Sequence, residues 1–208
     1  MKPSLSTDKM SDEELASRAL AGSRSCFEQL AIRYSRRLFH FLRPRVGNDQ
    51  DTEDLVQETF LKVYLKLNRY DPACKFSTWL YTVAGRLAIS FHRKKKLPEA
   101  QLMTASTSDD PWATLSLEEE IRNIWRMARA LPPDQFQALW LRYAENMNTA
   151  EICRVMKKSR VHIRVLLYRA RIKLIQWLNP TEPVNDNPHP AGEPAPHGGK
   201  HFTFLSQE

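Results

Sequence analysis

Residues Asn148–Leu178 read NTAEICRVMKKSRVHIRVLLYRARIKLIQWL. Asn148 is a good N-cap for a short helix, Thr149–Met156, on which Ile152 and Val155 share one face. Lys157 and Lys158 break the pattern, and Ser159 caps a longer helix with Ile163, Leu167, Ala170 and Leu174 as its apolar stripe. A short helix, a tight turn and a longer basic helix predict a helix-turn-helix, although helical hairpins in general share this periodicity. Such a unit lays the first turns of its second helix in the DNA major groove, and here those turns carry Arg160, His162 and Arg164. An arginine fork there matches both major-groove acceptors of guanine. Lys157, Lys158, Arg169, Arg171 and Lys173 suit phosphates, which fix position without reading sequence.

The charge around this segment points the same way. From Ile152 to Leu178 there are eight basic residues and no acidic one. A solvated helix face usually mixes signs, so this bias suits a polyanion, or at the least a basic soluble surface. Residues 1–97 carry net +7 and 131–178 net +6, while 98–130 and 179–208 each carry net −3. Two basic blocks are thus separated by an acidic connector and followed by an acidic tail.

Helical periodicity runs through both basic blocks. Ser11 before Glu14 and Ser25 before Glu28 read as capping boxes. After the second, Phe27, Leu30, Ala31, Tyr34, Leu38, Phe41 and Leu42 recur every three or four residues, up to an end near Pro44 and Gly47. Asp51 and Thr52 offer caps for a helix with Leu55, Thr59, Phe60, Val63, Tyr64 and Leu67 on one face, and Glu53 and Asp54 suit its dipole. After a turn at Asp71-Pro72, Ser77 or Thr78 caps a third helix that ends in Arg93, Lys94, Lys95 and Lys96. In the second block, Leu117, Ile121, Ile124, Trp125 and Ala128 share a face. Leu131-Pro132-Pro133-Asp134 then starts a helix that Asn146 can close in the left-handed conformation. The fold class expected is therefore all-α, with two small helical domains joined by a flexible linker. The expected division is a tail at 1–10, a first domain at 11–97, a linker at 98–115, a helix-turn-helix domain at 116–178 and a Pro-rich tail at 179–208. That tail holds 6 of the 13 prolines, so disorder is expected there.

Composition narrows the function further. Hydrophobic residues make up 42% and charged residues 26%, a globular mixture. Only 6 glycines occur, which argues against a sheet-rich enzyme with phosphate-cradling loops. No apolar run approaches the roughly 20 residues of a membrane span, and the first dozen residues are too polar for export, so a soluble cytoplasmic protein without membrane insertion is expected. Cys26, Cys74 and Cys153 lack metal-ligand or disulfide spacing and read as small apolar side chains. His40 and His92 have no nucleophile or carboxylate at a useful spacing, so no enzyme, cofactor or metal is expected.

Three further segments carry a family resemblance. Asp51-Thr52-Glu53-Asp54-Leu55-Val56-Gln57-Glu58-Thr59-Phe60 resembles the core-binding segment of bacterial RNA polymerase sigma factors. Phe76-Ser77-Thr78-Trp79-Leu80-Tyr81-Thr82-Val83-Ala84 resembles the promoter-melting segment that follows it. Leu131-Pro132-Pro133, Leu141-Arg142-Tyr143, Glu151-Ile152 and Tyr168-Arg169-Ala170-Arg171 resemble the terminal DNA-binding domain. With these in order across 11–178 and no larger middle domain, the chain resembles the compact extracytoplasmic-function (ECF) group.

The resemblance implies that 11–97 is sigma region 2 and 116–178 region 4. Asp54, Leu55, Gln57, Glu58 and Phe60 would dock on the clamp helices of core RNA polymerase. Lys75, Phe76, Trp79 and Arg86 would meet the melted minus-ten element, with Arg93, Lys94, Lys95 and Lys96 along the strand backbone. Aromatic faces suit unstacked bases, at roughly 1–3 kcal/mol per base, although a Trp at helical spacing equally suits a core. Lys157, Lys158, Ser159, Arg160, His162, Arg164, Arg169 and Arg171 would meet the minus-thirty-five element. The implied function is promoter-specific initiation in which the polymerase supplies the catalysis. The implied partners are core polymerase, promoter DNA and an anti-sigma factor.

Departures from the family pattern bear on specificity. Arg86, flanked by Gly85, stands where relatives commonly carry Asn, and Lys157 where glycine is usual. Val165 and Leu166 replace positions often polar or basic, which predicts a more apolar recognition helix. A helix-turn-helix regulator acting without polymerase, or a sigma-like decoy that does not initiate, are the alternatives. Salt-dependent duplex binding without core polymerase marks the first, and core binding without initiation marks the second.

Overall fold

The computed structural model describes residues 9–95 and 119–179, and these form helices and turns with no strand. Helix α1 spans Asp12–Leu20 and begins where expected. The Ser11 hydroxyl accepts from the Glu14 amide at 3.1 Å, while Glu14 turns its carboxylate to Arg18 at 2.8 Å. Helix α2, Arg24–Val46, starts two residues earlier than the Ser25–Glu28 pair suggested. Ser23 is its N-cap residue without a side-chain capping bond, which leaves Ser25 inside the helix. Pro44 lies within the last turn rather than beyond it, and Gly47 closes the helix at φ 100°, where a side chain would be strained.

Helix α3 spans Asp49–Leu65, and its cap is Asn48, not Asp51 or Thr52. The Asn48 side chain accepts from the Asp51 amide at 2.8 Å, and Thr52 donates back to the Asn48 carbonyl at 2.5 Å. Helix α4, Phe76–Lys95, likewise begins before Ser77 and Thr78. Its first amide, that of Phe76, donates to the Glu13 carboxylate of α1 at 3.2 Å, so a distant side chain does the work of a cap. The core of this unit lies where α2, α3 and α4 meet, with α1 laid across α2. Tyr34, Phe41, Phe76 and Tyr81 fill it, edge to face with one another.

The second unit comprises α5 (Glu119–Ala128), α6 (Pro133–Tyr143), α7 (Thr149–Met156) and α8 (Arg160–Leu178). Its nucleus is aromatic: Trp140 lies 5.2 Å from Trp125 and 5.9 Å from Phe136, centroid to centroid. Pro133 sits in the first turn of α6, where its missing N–H costs nothing, and Asn146 adopts φ 48° beyond the helix end. Asn148 and Glu151 form a reciprocal capping box at the start of α7. Lys157 takes the left-handed conformation at φ 53°, so the turn keeps the geometry a glycine would give it. Ser159 caps α8 by accepting from the His162 amide at 3.2 Å. Leu166 corrects the apolar-surface reading: it is buried in the core, and only Val165 of that pair faces outward. Among the described residues, no helix is long and apolar enough to cross a membrane.

Candidate protein and nucleic-acid interfaces

Helix α3 presents two kinds of surface. Asp54, Gln57 and Glu58 are exposed along its outer face, with Glu58 paired to Lys62 at 2.6 Å one turn on. Leu55 is buried and holds α3 to the core from beneath. Phe60 is half-buried, its ring edge-on to Phe27 at 6.5 Å. Further along, Leu61, Tyr64 and Leu65 are exposed, as is Ile32 of α2. Sequence spacing places Tyr64 on the buried face of this helix, which its exposure corrects, and assigns no role to Leu61 or Leu65.

The candidates on α4 divide by depth. Phe76 has no exposed surface: its ring is enclosed by Tyr34 at 5.9 Å, Tyr70 at 5.7 Å and Trp79 at 6.0 Å. Trp79 is half-buried against the same cluster. Burial, with the neighbouring Glu13 carboxylate, pushes the Tyr70 hydroxyl up to about 12, so it stays a neutral donor to the Cys74 carbonyl at 2.7 Å. Lys75, Arg86 and Arg93 are exposed, and Lys75 lies 3.3 Å from Glu151 of α7. Lys94 and Lys95 belong to the last turn of α4, and Lys96 lies outside the described residues.

Helix α8 gathers the cations. Arg160, His162, Arg164, Arg169 and Arg171 are exposed, as are Lys157 and Ser159 before it. Its first turn carries no acidic residue, so the positive end of the helix dipole adds to the arginines rather than being neutralised. That arrangement suits an anion, and a phosphate backbone supplies one. Lys158 is half-buried and turns back to Asp134 at 3.1 Å, away from the other cations. Burial works to raise the Asp134 carboxyl, but Lys158 and Arg45 outweigh it and hold it below its usual value.

The comparisons bear on both units. Residues 30–97 match the family model for Sigma-70 region 2, and residues 121–174 match that for Sigma-70 region 4. The chain belongs to the sigma-70 family. Among its curated relatives is the ECF RNA polymerase sigma factor BldN of Streptomyces coelicolor, 30% identical over 81% of this chain and 66% of BldN. The ECF RNA polymerase sigma-E factor of Escherichia coli is 27% identical over 79% of this chain and 93% of that factor. These relatives put this sigma factor in the ECF group. Its fold is similar to that of RpoE of Bartonella quintana, solved with the anti-sigma factor NepR (TM-score 0.60, 20% identity, 75% of this chain and 98% of that one). It is also similar to CnrH, solved with the cytosolic domain of CnrY (TM-score 0.57, 22% identity, 82% and 99%).

One polar cluster of this sigma factor had no local signal in the sequence. Glu145, between α6 and α7, has a side chain only 1% exposed and bonds to Arg37 of α2 and Tyr81 of α4. Arg37 and Glu145 lie 108 positions apart in the chain, so no periodicity could have paired them.

Proposed function

We propose that this ECF sigma factor binds core RNA polymerase and directs promoter-specific initiation, acting with the polymerase in the cytoplasm. The observation that carries the DNA-binding half is the start of α8. There Arg160, His162 and Arg164 stand exposed on a helix whose positive dipole end no acid offsets. These side chains read the minus-thirty-five element, and Lys157, Ser159, Arg169 and Arg171 hold its phosphates, with Lys158 joining them once released from Asp134. In the first unit, Asp54, Gln57 and Glu58 dock on the polymerase, Leu55 and Phe60 holding the helix that carries them. Lys75, Trp79, Arg86 and Arg93–Lys96 receive the opened minus-ten strand, with Phe76 as the platform beneath Trp79. Region 2 is taken as 11–97, region 4 as 116–178, and 98–115 as the tether between them. No bond is made or broken by this chain; it contributes binding free energy to duplex opening. RpoE was solved with an anti-sigma factor, and an inhibitor of that class is a proposed partner here as well.

Size-exclusion co-elution with core polymerase tests the protein half. The chain is expected to co-elute, and Asp54→Lys with Glu58→Lys is expected to weaken binding at least tenfold with the helical signal unchanged. A chain that never co-elutes contradicts the reading.

A further inference from the structure

Two apolar side chains at the start of α8 take no part in the core. Val161 is 69% exposed and Val165 38%, whereas Ile163, Leu166, Leu167, Ala170 and Leu174 of the same helix are buried. At about 100° per residue, Val161 and Val165 stand one turn apart on the side of α8 opposite that buried stripe. Valine is also a mediocre helix former, because its branched Cβ loses χ1 freedom against the preceding turn. Exposed on a helix, the pair weakens α8 slightly and returns no packing to the fold.

The surroundings of the pair select its occupant. Arg160 and Arg164 flank the valines on one side of the helix, and His162 and Arg169 on the other, all of them exposed. No acidic residue occurs from Ile152 to Leu178, and none occupies the first turn of α8. An apolar protein surface laid over the valines would bury these cations without a partner, at a large desolvation cost. A polyanion neutralises them instead. On the major-groove edges of duplex DNA, the apolar group that a base offers is the 5-methyl of thymine. Valine neither donates nor accepts a hydrogen bond, so it favours that methyl and leaves a cytosine amino group or a guanine oxygen unpaired.

We propose that Val161 and Val165 are specificity-determining residues for the upstream promoter element: each packs on the 5-methyl group of a thymine beside the bases that Arg160 and Arg164 bond.

This rests on the reading under Proposed function, in which the start of α8 enters the major groove, and extends it from hydrogen bonds to apolar contacts. Val161 and Val165 lie about 6 Å apart along the helix axis, close to two base-pair steps of roughly 3.4 Å. The two thymines therefore fall within about two steps of each other, on the same strand or on opposite strands.

Exchange of thymine for uracil in the bound duplex tests the assignment, because uracil differs from thymine only in lacking the methyl. Holoenzyme assembled from the full chain and core polymerase first selects duplexes from a randomised library, which defines the upstream element. Each thymine of that element, on either strand, is then replaced singly by deoxyuridine. The expected result is a loss of about three- to fivefold in affinity at two positions, the contribution of one buried methyl at each. Val161→Ala is expected to abolish the loss at one of these positions and Val165→Ala at the other, with the helical signal unchanged. An element with fewer than two uracil-sensitive thymines overturns the proposal, as does a variant that leaves both positions sensitive. Variants that keep the sensitivity but no longer co-elute with polymerase overturn it in favour of a protein partner on this face. A holoenzyme that enriches no upstream element overturns the functional reading and this inference together, an outcome distinct from an enriched element indifferent to uracil.

Discussion

Lys157 holds the turn between α7 and α8 at φ 53°, a conformation that costs an L-residue about 1–2 kcal/mol and a glycine almost nothing. Part of that gain is offset by the freedom glycine has in the unfolded chain. Lys157→Gly is therefore expected to raise the unfolding free energy by about 0.5–1 kcal/mol in denaturant titration. The same variant loses a cation facing DNA, so its log affinity should fall less steeply with log salt, by about one unit of slope. A lysine at this position was visible in the sequence, but not that the turn would keep a glycine's geometry around it. Phe76 was misleading in another way. Its place before Ser77 and Thr78 suggested a ring outside the helix, whereas the helix begins at Phe76 itself and turns the ring into the core. Phe76→Ala is accordingly expected to destabilise the chain by about 3–5 kcal/mol, the cost of emptying a packed aromatic site.

Helices were legible wherever apolar spacing was long and regular, because a buried stripe leaves the same mark whatever it packs against. The stripes of α2 and α8 show it, with Leu30, Tyr34, Leu38 and Phe41 on one and Ile163, Leu167, Ala170 and Leu174 on the other, all in the core. Starts were less legible. Ser23 and Ser25, or Asn48 and Asp51, are equally good caps as residue types, and tertiary packing chooses between them. At α4 the choice fell to Glu13, a group on another helix. The exposed face of α8 carries a prediction of its own. Arg160→Ala or Arg164→Ala is expected to relax selectivity at one or two base positions, by about 1–3 kcal/mol each. Arg169→Ala or Arg171→Ala is expected to weaken all sequences alike. Binding to a randomised duplex library, sequenced after selection, separates the two patterns, and identical profiles for all four variants would remove the division between base and phosphate contacts.

Across the whole molecule, the seam where α6 and α7 meet α2 and α4 could not be read from the sequence, since every contact in it joins residues distant along the chain. Two carboxylates in it, Glu145 against Arg37 and Tyr81 and Asp134 against Arg45, respond to acid in opposite senses. Burial raises Glu145, against the pull of Arg37 and Tyr81, so it holds its proton more tightly when the seam is shut. Its contribution to closure is complete below the ordinary carboxylate range and is lost as pH rises through the raised value. Asp134 is held low by Lys158, in its own unit, and by Arg45 across the seam; only the Arg45 share bears on closure, and it is complete above that range and lost as pH falls through the lowered value. The seam is therefore expected to be tightest near the ordinary carboxylate range and to loosen on either side. Small-angle scattering against pH measures this, and Glu145→Gln should flatten the upper limb alone; a radius of gyration unchanged across both limbs contradicts it. The central claim concerns initiation, and run-off transcription on fragmented genomic DNA from the source organism tests it most directly. Core polymerase with this chain should produce new RNA 5′ ends preceded by two shared, spaced sequence elements, one for each unit. The same ends with core polymerase alone would contradict it.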